Sequence, residues 1–191
     1  MNVNNKAAAS SASVEISSAW LQLDEQGVEQ EVEPCPFWLP TTERCTEVLN
    51  AGLRCLAGGS ASPLVNVSLR FATSGESREL NESYRGSAKP TNVLSFPVAR
   101  IEELAWPQAD VENSNTEAEL LGDLVLCPEV IAAEATQQNK SPANHWAHLL
   151  LHGLFHLFGY DHLNEDDANE MEALEIRALE NLGIANPYLL D

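Results

Sequence analysis

Apolar and polar residues alternate from Leu64 to Ala72, with Leu, Val, Val, Leu and Phe set against Asn, Ser and Arg. That period of two predicts a strand with one buried face. From Thr42 to Ala57 the apolar residues Cys45, Val48, Leu49, Leu53 and Leu56 recur at helical spacing instead, with Thr41 or Thr42 as N-cap and Gly58-Gly59 as the stop. A β-branched stretch, Val14 to Leu23, reads as a first strand, followed by an acidic loop from Asp24 to Pro36. A short helix is expected over Ser77 to Tyr84, and the turn-rich Lys89-Pro90-Thr91-Asn92 feeds an apolar strand, Val93 to Val98. Ala99 to Glu117, with its Trp-Pro and many acids, reads as a surface loop. Leu120 to Cys127 is apolar except for Gly122 and Asp123, which predicts a strand close to a functional cleft.

Three helices complete the chain. One starts at Pro128 and runs to about Gln138, a second starts at Pro142, and the last spans Glu165 to Leu182 with Leu174, Ile176, Leu179 and Leu182 on its apolar side. Helices packed on a small mixed sheet of about four strands make the fold class α+β. At 191 residues the chain fits one domain, expected over residues 14–191. Met1 to Ser13, biased to Asn, Ala and Ser, reads as a disordered leader over residues 1–13.

Targeting signals are not evident. The leader lacks the apolar centre of a secretory signal, and no run of ~18 apolar residues predicts a membrane span. Cys35, Cys45, Cys55 and Cys127 form no CxxC pair, which predicts reduced thiols in a cytoplasmic protein. The net charge of −19 argues against a polyanionic partner until its distribution is considered. Residues 1–43 hold one base and seven acids and residues 101–191 hold two bases and eighteen acids, whereas residues 44–100 hold seven bases and four acids. Arg70, Arg78, Arg85, Lys89 and Arg100 in that basic middle can make one favourable face, or an ordinary mixed surface.

The most specific chemistry lies in His152-Gly-Leu-Phe-His156-Leu-Phe-Gly159-Tyr-Asp-His162. Two histidines four apart share a helix face, and Gly159 can take the left-handed conformation that ends the helix and returns His162 to the same ion. Three neutral imidazoles with an open fourth position suit a catalytic zinc. His148, one turn earlier, reads either as a support or substrate-side residue of that site or as plain packing, and His145 as solvent-facing. The spacing matches the metal motif of metzincin proteases, but Gly153 stands where those enzymes carry the glutamate base. Protease chemistry is correspondingly disfavoured.

The stretch HGLFHLFGYDH, with LNESYRGSAKPTNVLSFP earlier and LLGDLVLCPEVI between them, resembles the YbeY family of bacterial endoribonucleases involved in ribosomal RNA maturation. The resemblance covers roughly Val65 to Leu182. It implies a metal, usually zinc, on His152, His156 and His162, with the metal-bearing helix beside the sheet in a metzincin-like arrangement. It also implies a catalytic role for Arg85, whose guanidinium is suited to clamp a scissile phosphate. Asp161 is a candidate to orient a ligand imidazole or to cap the helix; Lys89 is a weaker phosphate candidate, and Asn92 and Ser95 read equally as backbone partners. The function implied is a single-strand-specific, metal-dependent endoribonuclease of rRNA maturation and ribosome quality control. Its partners would be precursor rRNA and a ribosomal protein or the small ribosomal subunit, with neither DNA nor membrane. A ribosome-assembly binding factor with a structural metal, and a metallopeptidase, are the competing readings.

Overall fold

The computed structural model describes residues 12–18, 21–23, 29–31, 35–58, 65–98 and 119–189. Its central sheet has the order β1-β4-β6-β5, from β1 (Ala12–Ser18), β4 (Val65–Phe71), β6 (Glu119–Leu126) and β5 (Val93–Pro97). β1, β4 and β6 run parallel, and β5 pairs antiparallel with β6, leaving the far side of β5 as an open edge among the described residues. Helices on this mixed sheet confirm the α+β class. β4 keeps its predicted alternation, with Val65, Val67, Leu69 and Phe71 buried. The register of β4 against β6 shifts between Asn66 and Val67, so one residue of β6 is left over as a bulge.

Among the described residues, five helices follow the predicted order: α1 (Thr42–Ala57), α2 (Ser74–Arg85), α3 (Pro128–Gln137), α4 (Pro142–Leu157) and α5 (Glu165–Asn181). α1 and α4 cover one sheet face and α5 packs against both, around a main core that includes Leu49, Leu53, Leu69, Leu124, Leu150, Leu154, Phe155 and Met171. Gly52 allows α1 to approach α4 closely, since a Cβ there would lie 2.7 Å from Leu154 Cδ2 and 2.9 Å from Leu151 Cδ2. The opposite face carries a smaller cluster of Ala72, Leu94 and Val125, against which Leu80 of α2 and Phe96 of β5 pack.

Two expectations change. α2 begins three residues before Ser77, because Thr73 Oγ1 accepts from Glu76 N at 3.3 Å and caps an earlier first turn. The single strand expected over Val14 to Leu23 is instead β1 in the main sheet and β2 (Leu21–Leu23), which pairs antiparallel with β3 (Glu29–Glu31) inside the expected acidic loop. Backbone pairing needs no apolar alternation, so Glu-Gln-Glu gave no pattern to read. β1 also takes in Ala12 and Ser13, two residues before the expected start of the domain. Residues 1–11 of the leader and the expected loop Ala99 to Glu117 lie outside the described residues. Among the described residues, no helix is long and apolar enough to cross a membrane.

Candidate metal centre

α4 is positioned by burial on almost every side. Ser141 caps it, its Oγ accepting from Asn144 N at 3.1 Å, and Pro142 starts it. Trp146, Leu150, Leu151, Leu154, Phe155 and Leu157 are buried, which leaves the stripe of His148, His152 and His156 half-exposed. The helix ends in a Schellman motif: Tyr160 N donates to Phe155 O and Gly159 N to His156 O, both at 3.0 Å, with Gly159 at φ +80°. The Tyr160 ring packs edge-on against Phe155 at 6.2 Å between centroids, the apolar contact that accompanies this motif.

That turn brings His162 back as expected. The ligand-capable atoms of His152, His156 and His162 lie within 4.8 Å of one another, so the three can hold one ion. His152 Nδ1 donates to Glu175 Oε1 at 2.8 Å, and His156 Nδ1 donates to the Tyr160 carbonyl at 2.8 Å. Both acceptors lack a proton, so both Nδ1 atoms carry one and each neutral ring presents a lone pair at Nε2. These two Nε2 atoms face each other at 3.0 Å. Two converging lone pairs repel unless a cation or proton sits between them, and burial, then His152, push the His156 pKa below its ordinary value. The donor set therefore fits a divalent ion that takes imidazole nitrogen.

Glu175 was not among the expected site residues. It is fully buried on α5 and accepts from His152, from His148 Nε2 at 2.7 Å and from the Tyr188 hydroxyl. Burial alone would push its pKa up, but the hydrogen bonds with His148 and His152 outweigh it and hold the carboxyl at about 2. A signal existed in the sequence: Met171, Leu174, Ala178 and Leu179 form the buried stripe of α5, and Glu175 falls within it. His148 thus meets Glu175, one residue away from the three-histidine cluster. His145 is a correction, being 4% exposed instead of solvent-facing. α3 lies beside α4 and supplies Glu134, whose Oε2 is 3.0 Å from His145 Nε2. Asp161 orients no imidazole; its Oδ1 accepts from His162 N at 2.7 Å and shapes the returning turn.

Gly153 faces the sheet. A Cβ there would lie 2.9 Å from Leu124 Cδ2, 3.2 Å from Val93 Cγ2 and 3.3 Å from Ser95 Oγ. The position that holds a base in metzincins is here a helix-on-sheet contact with no room for a carboxylate. Ser95 Oγ donates to Gly153 O at 3.2 Å, and Ser95 O accepts from Arg85 Nη2 at 3.1 Å. Asn92 O and Val98 N point at β6, so alternation turns the Ser95 carbonyl to the open edge of β5. Arg85, the last residue of α2, therefore reaches around that edge, and Ser95 connects it to the residue after His152. Asn92 serves the backbone, its Oδ1 accepting from Val93 N at 2.7 Å, and its amide also donates to Glu134. Lys89 is exposed, and Asp123 is half-buried in β6 opposite Phe96.

Residues 40–183 match the family model described as Endoribonuclease YbeY. Among solved structures, the chain is similar to the solution structure of TM1509 from Thermotoga maritima at 21% identity, over 76% of this chain and 88% of that one, with a TM-score of 0.46.

Proposed function

The chain belongs to the YbeY endoribonuclease family, and from that premise we propose a metal-dependent endoribonuclease that cuts single-stranded RNA in rRNA maturation and ribosome quality control. The observation that carries the site is the pair of Nε2 lone pairs of His152 and His156, 3.0 Å apart, each fixed by an acceptor on the far side of its ring. With His162 they would hold the ion, for which zinc is the reading that three imidazoles favour. Such an ion supplies Lewis acidity toward a phosphoryl oxygen or lowers the pKa of a water.

The chain's own residues do the rest. Arg85 would clamp the scissile phosphate through two guanidinium N–H groups and balance charge developing on it, its approach set by the Ser95 carbonyl. Glu175 and the Tyr160 carbonyl would keep the two helix imidazoles in the metal-binding tautomer. The proton acceptor does not come from position 153, which is packed against β5 and β6. In a chain of net charge −19, docking on a ribosomal protein or the small ribosomal subunit would add basic surface beside the RNA. A cytoplasmic location accords with that substrate.

The test compares the purified protein with His156→Ala and Arg85→Ala on single-stranded rRNA fragments. Both variants are expected to lose cleavage. Equal cleavage by all three would sink the assignment by identifying a contaminating nuclease.

A further inference from the structure

The open edge of β5 carries exposed aromatic surface that the hydrolytic site does not use. Tyr84, next to Arg85 at the end of α2, is 61% exposed, the most exposed aromatic side chain among the described residues. Its ring meets Phe96 of β5 edge-on, with centroids 5.0 Å apart and planes at 71°. The Arg85 guanidinium carbon lies 5.9 Å from the Phe96 centroid, so one Arg is pinned between the aromatic pair and the Ser95 carbonyl. Val98, the residue after the end of β5, is 62% exposed and adds apolar surface beside it.

An exposed aromatic beside a guanidinium on a strand edge has a specific complement. A single-stranded nucleotide offers a flat π-face and an anionic phosphate within one residue's length, and ring and cation here are spaced to meet both. An apolar peptide would offer the Arg85 guanidinium no anion, and a duplex would keep its base faces stacked inside the helix.

We propose that Tyr84 and Phe96 form a base-stacking subsite for single-stranded RNA, receiving the nucleobase next to the phosphate that Arg85 clamps. The subsite rests on the nuclease reading and deepens it, since it sets strandedness: a base must leave its stack to lie on Tyr84. It also gives the strand a path along the open edge of β5. Sequence tolerance follows, because every base presents a π-face.

The experiment uses the metal-loaded full chain and a short single-stranded RNA carrying 2-aminopurine, whose fluorescence is quenched on stacking, with 2′-O-methyl phosphorothioate linkages to arrest cleavage. Wild type and Tyr84→Phe are expected to bind and quench alike, while Tyr84→Ala loses the quenching and binds roughly tenfold to a hundredfold more weakly. Trp38→Ala removes another exposed aromatic, one that packs on Trp146, and should match wild type. Thermal melting reports whether each variant is folded. If Tyr84→Ala binds and quenches as wild type while Arg85→Ala binds weakly, the subsite is wrong and the nuclease reading stands. Equal losses for Tyr84→Ala and Trp38→Ala would also overturn it, and failure of wild type to bind RNA would overturn both readings.

Discussion

Glu175 Oε1 accepts the Nδ1 proton of His152 at 2.8 Å from a carboxylate with no exposed surface. This contact connects α5 to the face of α4 that gathers the three histidines, and Glu175 Oε2 connects the same face to His148 and to the C-terminal Tyr188. Removing the charge while keeping the shape, as in Glu175→Gln, leaves His152 free to turn or change tautomer. Metal affinity is then expected to fall about 10–100-fold. Competition with a chromogenic chelator measures this without any RNA substrate. Tyr188→Phe removes only one of the three donors to Glu175 and should give a smaller loss.

Gly153→Glu restores the metzincin sequence pattern and should fail. The added carboxylate would be driven against Leu124, Val93 and Ser95 with no cation at hand. An uncompensated buried charge costs of order 3–5 kcal/mol, so a large drop in the urea midpoint is expected, and no peptidase activity.

How much of this was legible in the sequence follows from the range of each interaction. His152 and His156 share a face because they are four apart, and Gly159 announces the turn that returns His162, so the cluster could be read from eleven consecutive residues. α1 and β4 were legible for the same reason, their caps and periodicities being local. Glu175 lies 23 residues from His152 and Glu134 eleven from His145, and both pairs form only when helices dock. A buried carboxylate within an apolar stripe was the available sign for Glu175, whereas nothing near His145 marked it as interior. β2 and β3 pair through backbone alone and left no side-chain pattern.

His145 gives a pH dependence. Burial lowers its pKa from 6.5, against the opposing pull of Glu134, with His148 and Lys140 the other charged or titratable groups acting on it. The neutral ring is the folded form, so its contribution to stability is complete above pH 6.5 and is lost as pH falls through the lower folded value. Denaturation of wild type between neutral pH and pH ~5 should show that slope. His145→Gln should flatten it, and an unchanged slope in the variant would exclude His145 as its source.

The cysteines divide by burial. Cys45 has no exposed surface, and burial pushes its thiol up to about 12, so almost none is thiolate at neutral pH. Cys35 and Cys55 are only half-buried. Iodoacetamide followed by mass spectrometry is expected to label Cys35 and Cys55 in the native protein and to reach Cys45 only after denaturation.

Arg85 and Ser95 make a contrasting pair, because the contact between them uses a side chain on one partner and backbone on the other. Arg85 Nη2 donates to the Ser95 carbonyl, whereas the Ser95 hydroxyl points the other way, to Gly153 O. Ser95→Ala therefore keeps the acceptor that steers the guanidinium and loses only a buried hydroxyl bond, worth about 0.5–1.5 kcal/mol of stability. Cleavage of single-stranded RNA by Ser95→Ala should stay near wild type once the protein is folded. Arg85→Lys preserves the charge but not the planar fork, so two-point binding of a phosphate is lost. Its kcat/KM is expected to fall about a hundredfold, comparable to the loss of one positioned donor to a developing anion. If Arg85→Lys were as active as wild type, the side chain would be acting as a point charge and the clamp would be wrong. If Ser95→Ala were instead as impaired as Arg85→Lys, the hydroxyl link to α4 would be the element that sets the geometry of the site.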